Sequence, residues 1–352
     1  MTKRILIAAA GAAALLVSAC SSSGSGSAAP SSAPTSPPAA SASPAVVAAR
    51  PSAGCSTTGA AARPGQVTLP FAAAGDTGTY VRHLPPSYDG DHPLPLVLDL
   101  HGYGEAASIH VLISALGPYG DTHRFITLTP QTTGPVPLWN TDLKGKDVAF
   151  LGALLDRAQQ TLCVDEARIF VAGYSNGAFM TSAMACAFSS RIAAVAPVAG
   201  IQEISGCSFA RPVPVVAFHG TADPFVPYNG GVGPAALKLP APDGSGKTLG
   251  QLGAGKQKPG PSIPQATTAW AKRNGCSVNP TDKKVASDVT LISYACSPDA
   301  TVELYRVTGG GHAWPGSPVD RSLSKVVGRV TFSISANDIM WAFFQAHPLP
   351  AS

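Results

Sequence analysis

The chain has 352 residues, a net charge of +4 and only 12% charged residues. No Lys/Arg cluster or stripe interrupts it, which argues against a nucleic-acid partner. Once the N-terminal segment is set aside, the length that remains suits one large domain better than two small ones.

That segment opens with Lys3 and Arg4, followed by an apolar run of 13 residues at 5–17 and the small residues Ser18 and Ala19 before Cys20. A charged start, a short apolar stretch and small residues at a cut site read as an export signal over residues 1–20. The run is too short to cross a bilayer core as a helix. Its end resembles a bacterial lipoprotein box, in which the cysteine is acylated and becomes the new N-terminus. That implies an exported protein anchored to the outer face of the cell membrane through lipidated Cys20. The alternative is an ordinary cleaved signal, a chance cysteine and a freely secreted protein. Residues 21–62 are mostly Ser, Ala, Pro and Gly, with one charge, Arg50, and no aromatic residue. Such a composition buries too little apolar surface to offset ordering, so a disordered tether is expected. Residues 63–352 then form the folded domain.

Within the domain, strand-like runs are expected at 79–83, 94–100, 125–128, 168–172, 192–198, 213–218 and 302–307. Helical spacing appears at 148–161, 176–188, 265–274 and 336–345. Apolar strands alternating with helices argue for βαβ units and a mostly parallel sheet covered on both faces. Between 228 and 264 lies a Gly/Pro/Lys stretch without periodicity, either a cover over a cleft or a passive surface insertion. Beyond Cys20 six cysteines remain, and an even count in an exported chain predicts three disulfides. Cys276 with Cys296 is the best single pairing. None has metal-ligand spacing, and no metal or other cofactor is expected.

The sharpest local signal is Gly173-Tyr174-Ser175-Asn176-Gly177 between a β-branched strand and a helical run. A strand turning sharply into a helix holds the central serine in a strained conformation, and the flanking glycines relieve the crowding. The helix N-terminus brings backbone N–H groups and a positive dipole end to the same place. A serine nucleophile needs a base and an orienting acid. Asp223 follows the apolar strand at 213–218, and His312 follows three glycines after the strand at 302–307. The order Ser, Asp, His is that of an α/β-hydrolase. His219 precedes the acid and reads as a strand-end residue with local hydrogen bonds. His83, His92, His110, His123 and His347 read as surface or loop residues. The loop His101-Gly102-Tyr103-Gly104 after the strand at 94–100 would supply an oxyanion N–H from Tyr103, with the second from Asn176.

Together the blocks LeuHisGlyTyrGly, GlyTyrSerAsnGlyAlaPheMet, PheHisGlyThrAlaAspProPheValProTyr and GlyGlyGlyHisAlaTrpPro resemble the polyhydroxybutyrate depolymerase/feruloyl esterase group of secreted α/β-hydrolases. The chain looks especially like the actinobacterial lipoprotein members of that group. The resemblance implies a single-domain α/β-hydrolase fold and cofactor-free hydrolysis of a small or polymeric carboxylic ester by Ser175, His312 and Asp223. It also makes Trp139 and Trp314 candidates for lining the substrate site. It does not choose among hydroxybutyrate, feruloyl and acetyl esters. A serine peptidase on the same fold could use the same three residues, although no propeller or cap domain is evident. A non-catalytic surface module that presents polysaccharide or lipid is the other alternative.

Overall fold

The computed structural model describes residues 47–56 and 62–351. The expected signal, Cys20 and most of the expected tether therefore lie outside the described residues. Residues 47–56 of the tether do not. Residues 47–56 are strapped along the sheet: Pro51 forms a bridge with Asp165, and the Arg50 N–H donates to Asp165 Oδ1 at 2.9 Å. Ser52 exchanges bonds with both neighbours of Cys163, donating from Oγ to Leu162 O and accepting from Val164 N–H. Cys55 closes the strap through a disulfide to Cys163. A boundary at residue 62 is thus corrected to about residue 46. Composition alone does not register the backbone partners and the covalent link that hold this Pro/Ala/Ser run in place.

Ten strands are found among the described residues: β1 (Gly65–Ala73), β2 (Asp76–Leu84), β3 (Leu94–Leu100), β4 (Ile126–Gln131), β5 (Val164–Tyr174), β6 (Ala194–Val198), β7 (Val215–Gly220), β8 (Thr281–Ala286), β9 (Val289–Ser293) and β10 (Val302–Val307). They make one sheet in the order β1-β2-β4-β3-β5-β6-β7-β10-β9-β8. The pairings from β4 through β3, β5, β6 and β7 to β10 are parallel. The hairpins β1–β2 and β8–β9 flank them in antiparallel fashion. The longer helices are α1 (Ala107–Ser114), α2 (Leu116–His123), α3 (Lys146–Thr161), α4 (Asn176–Ala187) and α5 (Ile263–Arg273). Two short ones, α6 (Pro318–Ser322) and α7 (Ser324–Val327), precede the last, α8 (Ala336–Ala346). This is an α/β-hydrolase fold, mostly parallel and doubly covered.

The period of two along a strand explains why both faces are buried. Leu96, Leu98, Ile169, Val171, Val215 and Ala217 point into one core, with α3, α4 and α5 over them. Their neighbours Val97, Phe170, Ala172, Val216 and Phe218 point into the other, capped by Met340, Phe343 and Phe344 of α8. Helix α4 is Ala-rich and buried on nearly every side, as expected of a helix enclosed by its own domain. Helix α5 begins with a reciprocal capping box between Ser262 and Gln265 and has Pro264 in its first turn, two features that favour a sharp helix start. The six cysteines make three disulfides, Cys55–Cys163, Cys186–Cys207 and the expected Cys276–Cys296.

Candidate active site

Ser175 sits between β5 and α4 with φ 57° and ψ −116°. A non-glycine residue there is strained and persists only when its surroundings over-determine it. Here the Ser175 N–H donates to Val198 O at 2.9 Å, and Ser175 O accepts from Ala178 N–H and Phe179 N–H. The flanking glycines are demanded by proximity. A Cβ at Gly173 would lie 2.4 Å from Gly177 O, and one at Gly177 would lie 2.1 Å from Leu100 O. Helix α4 therefore rests directly on the end of β3, which carries the loop at 101–104.

Asp223 lies just past β7, and His312 lies in the glycine loop after β10. Those two strands are parallel neighbours, which places the residues side by side. His312 Nδ1 is 2.7 Å from Asp223 Oδ2, and both residues are buried. Asp223 Oδ1 accepts from Phe225 N–H and Val226 N–H, each at 2.8 Å. The carboxylate is thereby fixed on both oxygens. The His312 carbonyl accepts from the Tyr174 hydroxyl, and the Phe225 ring centroid lies 4.9 Å from that of His312. His219 behaves as a strand-end residue: its Nε2 is 2.8 Å from Val226 O, and burial pushes its pKa down to about 4. Its Nε2 also lies 3.4 Å from Asp223 Oδ2, farther than His312, and as a neutral ring it adds no positive charge beside the acid.

Ser175 and His312 open onto one cleft of about 530 Å³. Its walls also include Tyr103, Ile109, Phe225, Leu239 and Val326, so it is largely apolar. Helix α4 starts at Asn176, whose N–H belongs to the first helical turn and so has no intrahelical acceptor. In the β3 loop, Gly102 N–H and Gly104 N–H are committed to Glu105 Oε2 and Pro137 O. The Asn176 side chain exchanges two hydrogen bonds with the backbone of Trp139, tying the 139 loop to the elbow.

Three expectations are corrected. Trp139 is 2% exposed; its indole donates to His101 O and its ring packs against His101, so it supports the loop from behind. Trp314 is 1% exposed and sits in the core beneath α8, donating to Asn337 Oδ1. Neither lines the cleft, because each indole finds its partner within the protein. His110 is neither a surface nor a loop residue: it is fully buried on α1, with its Nε2 2.7 Å from Asp99 Oδ1.

Several cleft features carry no motif. Leu239 comes from the 228–264 stretch, which is ordered by short turns, a bridge between Pro240 and Thr248, and the Tyr103 hydroxyl donating to Pro240 O. Leu239 thus puts part of that stretch on the cleft wall, while most of residues 242–261 lie on exposed surface. Asp320 on α6 also borders the cleft, and its Oδ2 accepts from Trp314 N–H. Burial lifts its pKa to about 6. Only the Asp-Pro-Phe sequence at 223–225, which fixes Phe225 next to the acid, left a trace of this in the sequence.

No family model matches the chain. Over 161 residues it is 34% identical to feruloyl esterase C of Emericella nidulans, covering 44% of this chain and 57% of that protein. Over 240 residues it is 28% identical to feruloyl esterase B of Piromyces equi, covering 65% of this chain and 41% of that one. The chain thus spans roughly half the length of these curated relatives. Among solved structures, an acetyl xylan esterase from Aspergillus awamori superposes with a TM-score of 0.49 at 14% identity, over 74% of this chain and 99% of that one.

Proposed function

We propose that the protein is a serine carboxylic-ester hydrolase working through an acyl-enzyme. The observation that carries this reading is a strained Ser175 and an Asp223-bonded His312 bordering the same cleft. In the proposed reaction His312 accepts the Ser175 proton as Oγ attacks the ester carbonyl. Asp223 holds the tautomer with Nδ1–H toward itself and stabilises the imidazolium that forms. The oxyanion is met by the N–H groups of Tyr103 and Asn176, the alcohol leaves with the proton from His312, and water repeats the sequence to release the acid. No cofactor takes part.

The likeness to feruloyl esterases and the apolar cleft wall both favour an ester with a bulky apolar acyl group. Feruloyl esters are therefore the first substrates to try, with hydroxybutyrate oligomers and acetylated xylan as competing arms. The deciding experiment is Ser175→Ala with a nitrophenyl ester and a methyl ferulate assay. Turnover should vanish while thermal unfolding stays unchanged, and wild-type turnover by that variant overturns the reading.

The reading extends to location. Three disulfides fit an oxidising compartment, and the residues before Cys20 fit acylation there. Cys20→Ala should release the protein into the medium. Retention of that variant in the membrane fraction speaks against lipid anchoring.

A further inference from the structure

Beside the cleft lies a buried charge cluster that the proposed reaction does not use. Asp99, in β3, is 1% exposed, and His110, on α1, is fully buried. His110 Nε2 lies 2.7 Å from Asp99 Oδ1, and the Ser114 hydroxyl donates to Asp99 Oδ2 at 2.6 Å. The other ring nitrogen, Nδ1, faces Glu105 Oε2 at 3.5 Å. That same Glu105 oxygen accepts the Gly102 N–H at 2.6 Å, while the Glu105 N–H returns to Gly102 O at 3.3 Å. Residues 102–105 are thus a tight turn whose first amide is clamped by a side chain from its last residue. Tyr103 lies inside the turn. The turn also touches the nucleophile, since a Cβ placed on Gly102 would lie 3.4 Å from the Ser175 Cβ.

We propose that Glu105 is a positioning residue for this loop, clamping Gly102 so that the Tyr103 N–H meets the oxyanion, with Asp99 and His110 holding the Glu105 carboxylate in place. The inference rests on the esterase reading above and names a part that reading lacks. The electrostatics agree with the geometry. Burial alone would depress the His110 pKa, but the Asp99 and Glu105 carboxylates overcome it and push it up to about 10. Burial likewise opposes ionisation of Glu105, but the His110 charge and hydrogen bond together with the Gly102 N–H and His101 outweigh it, holding the carboxyl below its usual range. A charged acceptor makes the stronger bond to an N–H, and a small displacement of an oxyanion donor is costly to rate.

The test compares Glu105→Ala and Glu105→Gln in the full chain with a nitrophenyl ester and an aryl trifluoromethyl ketone, whose hemiketal adduct needs the same N–H groups. For Glu105→Ala, kcat should fall about 100-fold with KM within threefold, and ketone affinity should fall in parallel. Glu105→Gln keeps an acceptor and should recover at least about tenfold of the loss. In a cycle with His110→Asn, the double variant should be no worse than Glu105→Ala, because His110 acts through Glu105. Wild-type kcat and ketone affinity in Glu105→Ala, or equal losses in the Ala and Gln variants, overturn the proposal. Should the Ala variant not fold, Glu105→Gln decides, with at least a threefold fall in kcat at unchanged KM expected and wild-type kcat refuting it. Failure of the esterase reading looks different: the wild-type chain then neither hydrolyses the ester nor binds the ketone.

Discussion

Two histidine–aspartate pairs share the same 2.7 Å separation, His312–Asp223 and His110–Asp99. They differ in what meets the second ring nitrogen and what satisfies the aspartate. Asp223 spends its other oxygen on two backbone N–H groups, and the His312 ring borders the cleft. Asp99 is completed by the Ser114 hydroxyl, and His110 is enclosed between two carboxylates with no exposed surface. An imidazole with one anionic neighbour and an open side can gain and lose a proton during a reaction. One caught between two anions stays charged and acts as a fixed post. Pairing with aspartate does not by itself mark a histidine for chemistry.

The most direct way to break this contrast is to remove each ring in turn. His312→Ala should lower kcat/KM by at least about 10⁴-fold in an ester assay while leaving the unfolding midpoint nearly unchanged. Asp223→Asn should fall in the same range through the wrong tautomer. His110→Ala should do the reverse in emphasis. It strands two buried carboxylates, and urea unfolding should show about 3–5 kcal/mol of lost stability. If His110→Ala were as stable as wild type, the post would be no post at all.

The pH dependence of stability sharpens the contrast further. His110 has a folded pKa of about 10, above the unfolded value near 6.5. Its contribution is therefore full below pH 6.5 and is lost progressively as pH rises to about 10. His101 and His219, both depressed to about 4 mainly by burial, contribute above pH 6.5 and lose that contribution as pH falls toward 4. Asp320 opposes them, because its folded pKa of about 6 makes its contribution decline as pH rises from 3.8 to 6. Two histidines against one carboxyl leave a net acid-side loss. Urea midpoints should peak near pH 6.5, and the alkaline limb should flatten in His110→Ala. The smallest effect belongs to Tyr103→Phe. It removes one exposed bond to Pro240 O and should change stability by about 1 kcal/mol or less, with kcat within about threefold.

The parts of this molecule legible in its sequence are those where local pattern and tertiary role coincide. Buried parallel strands read as apolar runs, so β3 emerges with the bounds 94–100. The elbow at 173–177 announces itself because a tight turn needs glycine. Strand β8 does not, since Thr281–Ala286 is charged and almost wholly exposed and carries no apolar alternation. Trp139 and Trp314 misled because likeness to a family block says nothing of which way an indole points. The Asp99, Glu105 and His110 cluster was hidden for a related reason. Its members meet only after β3 has turned into α1, and a buried charge looks like a surface one in a string of letters.

The strap at residues 47–56 has a mechanical consequence. It joins the domain at the amino end of β5, through Cys55 to Cys163, whereas Ser175 follows the last residue of that same strand. Eleven residues of strand separate the two, about 36 Å at 3.3 Å per residue. Any pull delivered along the N-terminal chain is taken up by the disulfide and the bridge to Asp165 before it reaches the strained elbow. The cleft lies at the far end of the strand that bears the load.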